Sequence, residues 1–268
     1  MAERFIPRIA SIVSRVFPAL GARIAWYLWF RPRGRESRRY PDGAEKFTFE
    51  LFGRVVNGFA VGSGDPVILL HGWGGASTDM APLAVALAGA GYRAVAPDLP
   101  GHGADRRSDT DVFRMAAAVD AVVGMFGPPR AVVAHSFGSL VTFVAFQHGG
   151  AGRVVLVAPA LKGEWFVDVF RARLGLGDRA YQRFRRRFVA FAGPQVMGAM
   201  RGKSDVRDAE MLVLHDPADG RTPFGDAAEF ASARPGTKLI EVPATGHAGI
   251  LRSEVTHEET IAFIASGQ

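Results

Sequence analysis

Residues Arg130 to Ser139 read RAVVAHSFGS, a short apolar run that stops at a serine set between small residues. Ala131, Val132 and Val133 have the character of a buried strand, Phe137 to Gln147 that of a helix, and almost no loop separates them. Ser136 sits in the turn. Such a turn holds its central residue at positive φ and needs small neighbours two positions away on either side, so that strand and helix can approach. Those neighbours are Ala134 and Gly138. The arrangement is a nucleophile elbow, one methyl group away at Ala134 from G-x-S-x-G. An ordinary N-cap serine has the same local look, so the rest of the chain must decide.

A chain of 268 residues, 48% hydrophobic and 22% charged, suits one large α/β domain with an insertion better than two domains. Cysteine is absent, which removes disulfides, thiolate catalysis and Cys-based metal sites. The net charge of +6 is uneven: residues 1–39 hold nine arginines and two acidic groups, and residues 161–204 hold ten basic and three acidic groups. Two basic regions therefore sit on an acidic body. Solvated arginine faces are the commoner reason for such a pattern, and anionic partners the rarer one.

Residues 5–30, FIPRIASIVSRVFPALGARIAWYLWF, are apolar but carry Arg8, Arg15 and Arg23. Arg8, Ser11 and Arg15 share one helical face, while Ile9, Ile12, Val13, Val16 and Phe17 fill the other. A membrane-spanning reading places arginines well inside the span, at about 2.5–3.5 kcal/mol each, and a signal peptide wants an uninterrupted apolar run. The expectation is a cytoplasmic protein with a basic amphipathic arm over residues 1–39. Trp26, Tyr27, Trp29 and Phe30, followed by Arg31, Arg33, Arg35, Arg38 and Arg39, suit a helix lying on anionic lipid. Packing of the arm on its own domain or on a second subunit is the equal alternative.

From residue 40 onward the pattern is regular. KFTFEL and VVNGFAV read as an opening strand pair, and PVILLH, YRAVAP, AVVAH, RVVLVAP, MLVLH and TKLIEV as further strands, with helices between most of them. Strands apolar on both faces and alternating with helices predict a mostly parallel sheet covered on both sides, with its site at the strands' carboxyl ends. The alternation breaks over about 161–204, an insertion. Asp219 and Asp216 follow the strand MLVLH, and His247 follows the last strand, so an activated serine, its base and an orienting acid can all be assigned.

HGWGG at 71–75, PDLPGHG at 97–103, AHSFG at 134–138, HDPAD at 215–219 and GH at 246–247 each end a predicted strand. On these motifs the chain, from about 47 to 264, resembles an α/β-hydrolase-fold serine hydrolase of the esterase or lipase type, with a short helical cap at 161–204. The resemblance implies that Ser136 is the nucleophile, His247 the base and then the acid, and Asp219, in preference to Asp216, the group that orients His247. It also implies an oxyanion hole made by the backbone N–H groups of Trp73 and Phe137. The Trp73 ring would line the pocket or pack in the core. His71 would support the oxyanion loop; His102, His135, His148, His215 and His257 receive no chemical role.

The resemblance implies no cofactor, no metal and a small acyl ester as substrate. Thioesterase, C–C bond hydrolase and acyltransferase chemistry share the same triad, and a noncatalytic ligand-binding protein shares the same fold. Nothing supports nucleic acid as a partner. In the cap, Trp165, Phe166, Phe170, Phe184, Phe188 and Phe191 alternate with arginines. They would either roof the site with an apolar ceiling or only bury one another.

Overall fold

The computed structural model describes residues 11–32, 34–35, 37–105, 109–201 and 206–266. Arg8 and Ile9 of the arm, Arg33 of the linker and the Trp165 side chain of the cap lie outside the described residues. Eight strands form one sheet: β1 (Glu45–Leu51), β2 (Arg54–Val61), β3 (Pro66–Leu70), β4 (Arg93–Pro97), β5 (Ala131–His135), β6 (Arg153–Val157), β7 (Glu210–His215) and β8 (Lys238–Glu241). Their order is β1-β2-β4-β3-β5-β6-β7-β8. The β1–β2 hairpin joins β4 antiparallel, and all neighbours from β4 to β8 are parallel.

The inner strands β3 to β7 are apolar along most of their length because helices cover both faces. In β3, Ile68 and Leu70 face one core with Met115, Val119 and Val122 of α3 (Val112–Phe126), whereas Val67 and Leu69 face the other with Leu83 and Leu87 of α2 (Ala81–Gly89). Helix α3 starts where the Asp111 carboxylate accepts from the N–H groups of Phe113 and Arg114, both at 2.9 Å. Helix α4 (Gly138–Ala145) follows β5 directly and runs against β3. A Cβ on Gly138 would lie 2.6 Å from the Leu70 carbonyl oxygen and 3.0 Å from that of His71. Gly138→Ala is therefore expected to lower stability by about 1–3 kcal/mol in urea melts, and an unchanged midpoint would contradict this packing.

Between β6 and β7 lie the cap helices α5 (Glu164–Leu174) and α6 (Asp178–Ala199). Helix α6 is broken at Gly193, whose φ of +67° precedes Pro194. The arm helix α1 (Pro18–Trp29) packs on α6. The Trp29 ring lies 5.0 Å from Phe170, 5.6 Å from Phe184 and 5.2 Å from Phe188, and Trp26 lies 5.6 Å from Phe191. Phe30 joins them 5.1 Å from Phe191, and the Arg187 guanidinium covers Trp26 at 4.0 Å. Trp26, Trp29 and Phe30 thus pack on the cap, and Phe184 and Phe188 are buried against the arm, so the two segments' rings complete one small core. Helices α7 (Phe224–Ser232), before β8, and α8 (Glu254–Ala265), at the end of the domain, pack near β7, and a short helical turn spans Gly246–Gly249. Among the described residues no helix is long and apolar enough to cross a membrane.

Candidate active site

Ser136 has φ of +52°, a left-handed conformation that a side chain adopts at a cost of about 1–3 kcal/mol. Two backbone bonds hold it there: its N–H donates to Val157 O at 3.0 Å, and its carbonyl accepts from the Ala160 N–H at 3.1 Å. The turn thus hangs on the end of β6. Ala134 fits without a glycine because it is still in the strand, paired between Leu70 and Leu156.

Ser136 Oγ lies 3.0 Å from His247 Nε2, and His247 Nδ1 lies 2.7 Å from Asp219 Oδ2. Those distances set the tautomer: Nδ1–H donates to the carboxylate, leaving the Nε2 lone pair for the serine hydroxyl proton. Burial opposes charge on Asp219, but the Arg221 N–H at 2.7 Å, the His247 ring and the Thr222 hydroxyl at 2.9 Å outweigh it and hold the carboxyl below its ordinary value. Burial likewise pushes the His247 imidazole below its usual 6.5, against the pull of Asp219. At neutral pH the pair is therefore carboxylate and free imidazole.

Asp216, three residues earlier, does something else. Its carboxylate accepts from the N–H of Ala218 at 2.9 Å, Thr245 at 2.8 Å and Gly246 at 2.5 Å, tying the loop after β7 to the turn that carries His247. These bonds hold its carboxyl below the usual range.

The loop after β3 lies against the serine. A Cβ on Gly72 would stand 3.0 Å from Ser136 Cβ, so a side chain here would press on the serine that glycine leaves room for. The turn closes through Gly75 N–H to Gly72 O at 3.0 Å, while Gly74 N–H donates to His102 Nε2 at 2.9 Å. Neither the Trp73 nor the Phe137 N–H has an acceptor among the described residues. The Trp73 ring is 39% exposed and edge-on to Phe137 at 5.1 Å, so it is no core residue. His71, buried, accepts from Leu99 N–H at Nε2 and donates from Nδ1 to Gly72 O, which supports the loop as expected.

Three polar residues near the site were given no role by the sequence reading: Thr222, His215 and His135. The Thr222 hydroxyl lies 3.3 Å from both His247 Nδ1 and His215 Nε2, and the buried His215 ring donates from Nδ1 to Asp216 O at 2.9 Å. His135 holds the base's own backbone, its Nε2 lying 2.8 Å from His247 O. A threonine three residues after an acid is a common turn pattern, and nothing local distinguishes this one.

The profile of the Alpha/beta hydrolase family matches residues 67–259, which include every residue of this site. The chain belongs to that family. Solved structures with the same fold include Rv0554 from Mycobacterium tuberculosis, 23% identical over 83% of this chain and 99% of that one, with a TM-score of 0.60. Est1E from Butyrivibrio proteoclasticus, solved with ferulic acid bound, is 17% identical over 82% and 99%, with a TM-score of 0.63. The epoxide hydrolase VrEH1 from Vigna radiata is 17% identical over 85% and 99%, with a TM-score of 0.59. At such identities the likeness speaks for the fold alone. A search of curated proteins gave no match.

Proposed function

We propose that this protein is a serine hydrolase that cleaves a carboxylic ester through an acyl-enzyme on Ser136. The observation that carries the reading is the unbroken relay from Ser136 Oγ to His247 Nε2 at 3.0 Å and from His247 Nδ1 to Asp219 at 2.7 Å, on a strained turn. A serine at this turn favours acyl transfer over the epoxide opening named for VrEH1, which in this fold resembles the same sheet with a carboxylate nucleophile.

In the proposed cycle Ser136 Oγ bonds to the ester carbonyl carbon as its proton passes to His247 Nε2. The carbonyl electrons move onto oxygen, where the N–H groups of Trp73 and Phe137 stabilise the anion. His247 then gives its proton to the departing alkoxide, the C–O ester bond breaks, and an acyl-serine remains. Water attacks that acyl carbon with His247 again taking the proton, and Ser136 is restored with release of the acid. Asp219 keeps Nδ1 protonated throughout.

A fluorophosphonate probe tests the reading. Labelling is expected on the native chain, absent in Ser136→Ala and much reduced in His247→Ala; folded native protein that takes no label would overturn it. Matched oxygen and thiol esters of graded acyl length then measure the substrate preference, and added alcohol separates hydrolysis from acyl transfer.

A further inference from the structure

The arm leaves one face uncovered. Ile12 is 64% exposed, Val16 63%, Phe17 61% and Leu20 47%. Ile12 and Val16 lie in the helical stretch 11–16, which closes with the Phe17 N–H to Val13 O bond at 2.7 Å; Phe17, at φ −125° and ψ 76°, breaks the helix before Pro18, and Leu20 lies in the first turn of α1. The chain turns back at this break, a Cβ on Gly21 lying 2.5 Å from Ser14 Cα, and the four exposed side chains stand on either side of the turn. Within the two helical stretches, Ser14, Gly21 and Ala25 are buried, and Trp26 and Trp29 meet the cap. Packing on the domain and contact with something else are thus two faces of one element. Scattered exposed apolar residues need no explanation, but an apolar ridge of four gathered about one turn of the chain does.

The charge around the ridge selects its occupant. Between Phe5 and Arg35 the sequence has six arginines and no acidic residue. Arg15 and Arg23 flank the exposed apolar side chains and are themselves exposed, and the adjoining α6 presents Arg179, Arg183 and Arg186. A second copy of this face would bring its exposed arginines against one another, with the exposed Asp168 and Asp178 as two carboxylates to offset them. An anionic bilayer matches both halves of the pattern, headgroup charge for the arginines and acyl boundary for the ridge. We propose that the arm docks the protein on anionic phospholipid surfaces, with Ile12, Val16, Phe17 and Leu20 entering the acyl boundary and Arg15 and Arg23 meeting the headgroups.

The test is flotation of the full chain with vesicles of phosphatidylcholine alone and with added phosphatidylglycerol. Native protein should float with the anionic vesicles, less so as salt rises, and stay behind with the neutral ones. The double variant Val16→Glu/Leu20→Glu should bind about tenfold more weakly or worse with an unchanged melting temperature. Arg15→Gln and Arg23→Gln leave the ridge intact and should each weaken binding about fivefold. Native protein that ignores anionic vesicles overturns the proposal, as does binding that survives all of these changes. A dimer in sedimentation that the glutamate pair dissolves, with no vesicle binding by the native chain, assigns the ridge to a second copy and overturns it too.

Discussion

Asp219→Asn is expected to lower kcat about 10⁴-fold while leaving the melting temperature near that of the native chain. The amide cannot accept the His247 Nδ1 proton as a carboxylate does. Its NH₂ group can donate to that nitrogen instead, which places the ring proton on Nε2, where Ser136 needs a lone pair. Asp216→Asn should fail in the opposite way. Its carboxylate serves three backbone N–H groups at once, and an amide presents a donor to at least one of them, so the loop that carries His247 loosens. The expected signs are a lower melting temperature and a kcat that recovers at low temperature. Two aspartates three residues apart would then separate chemistry from scaffold; equal kcat losses with equal stability in the two variants would contradict the assignment.

Acid should unfold this protein earlier than its carboxylates alone require. His71, His102 and His135 are buried, and burial pushes all three imidazoles down, His102 to about 3 and His135 to about 4. In the unfolded chain each titrates near 6.5. A lowered folded value means that the unfolded chain takes the proton first as pH falls. The stabilisation is complete above 6.5 and drains away between 6.5 and the folded values. At pH 5 the loss is about 2 kcal/mol for each of His102 and His135, hence about 4 kcal/mol for the pair. That is a large share of the 5–15 kcal/mol typical of a folded domain. Urea melts at pH 7.5 and pH 5 measure it directly. Equal midpoints would mean that these rings are charged in the fold or more accessible than their burial implies.

The sheet was legible because β3, β4, β5 and β7 are each marked twice, by an apolar run and by the motif that ends it. HGWGG follows β3, PDLPGHG continues from the end of β4, and HDPAD begins at the end of β7. The same coupling made Ser136, Asp219 and His247 candidates, since each lies just beyond a strand, and the parallel order carries those ends to one edge. Tertiary partners were not legible. Helical periodicity divides the arm into faces but does not say that Trp29 meets Phe188, more than 150 residues away. Thr222 and His215 were missed for a related reason: their part depends on a hydroxyl within reach of two imidazoles from different elements, the end of β7 and the turn after β8.

The meeting of Trp26 and Trp29 with Phe184, Phe188 and Phe191 constrains how this protein can be altered. The cap's hydrophobic centre is shared with a segment synthesised long before it, so the two cannot be exchanged independently. A cap grafted onto another member of the family without residues 11–31 would arrive with one wall missing. Trimming the arm to ease expression would leave the same rings open to water and to one another, turning a solubility measure into an aggregation hazard.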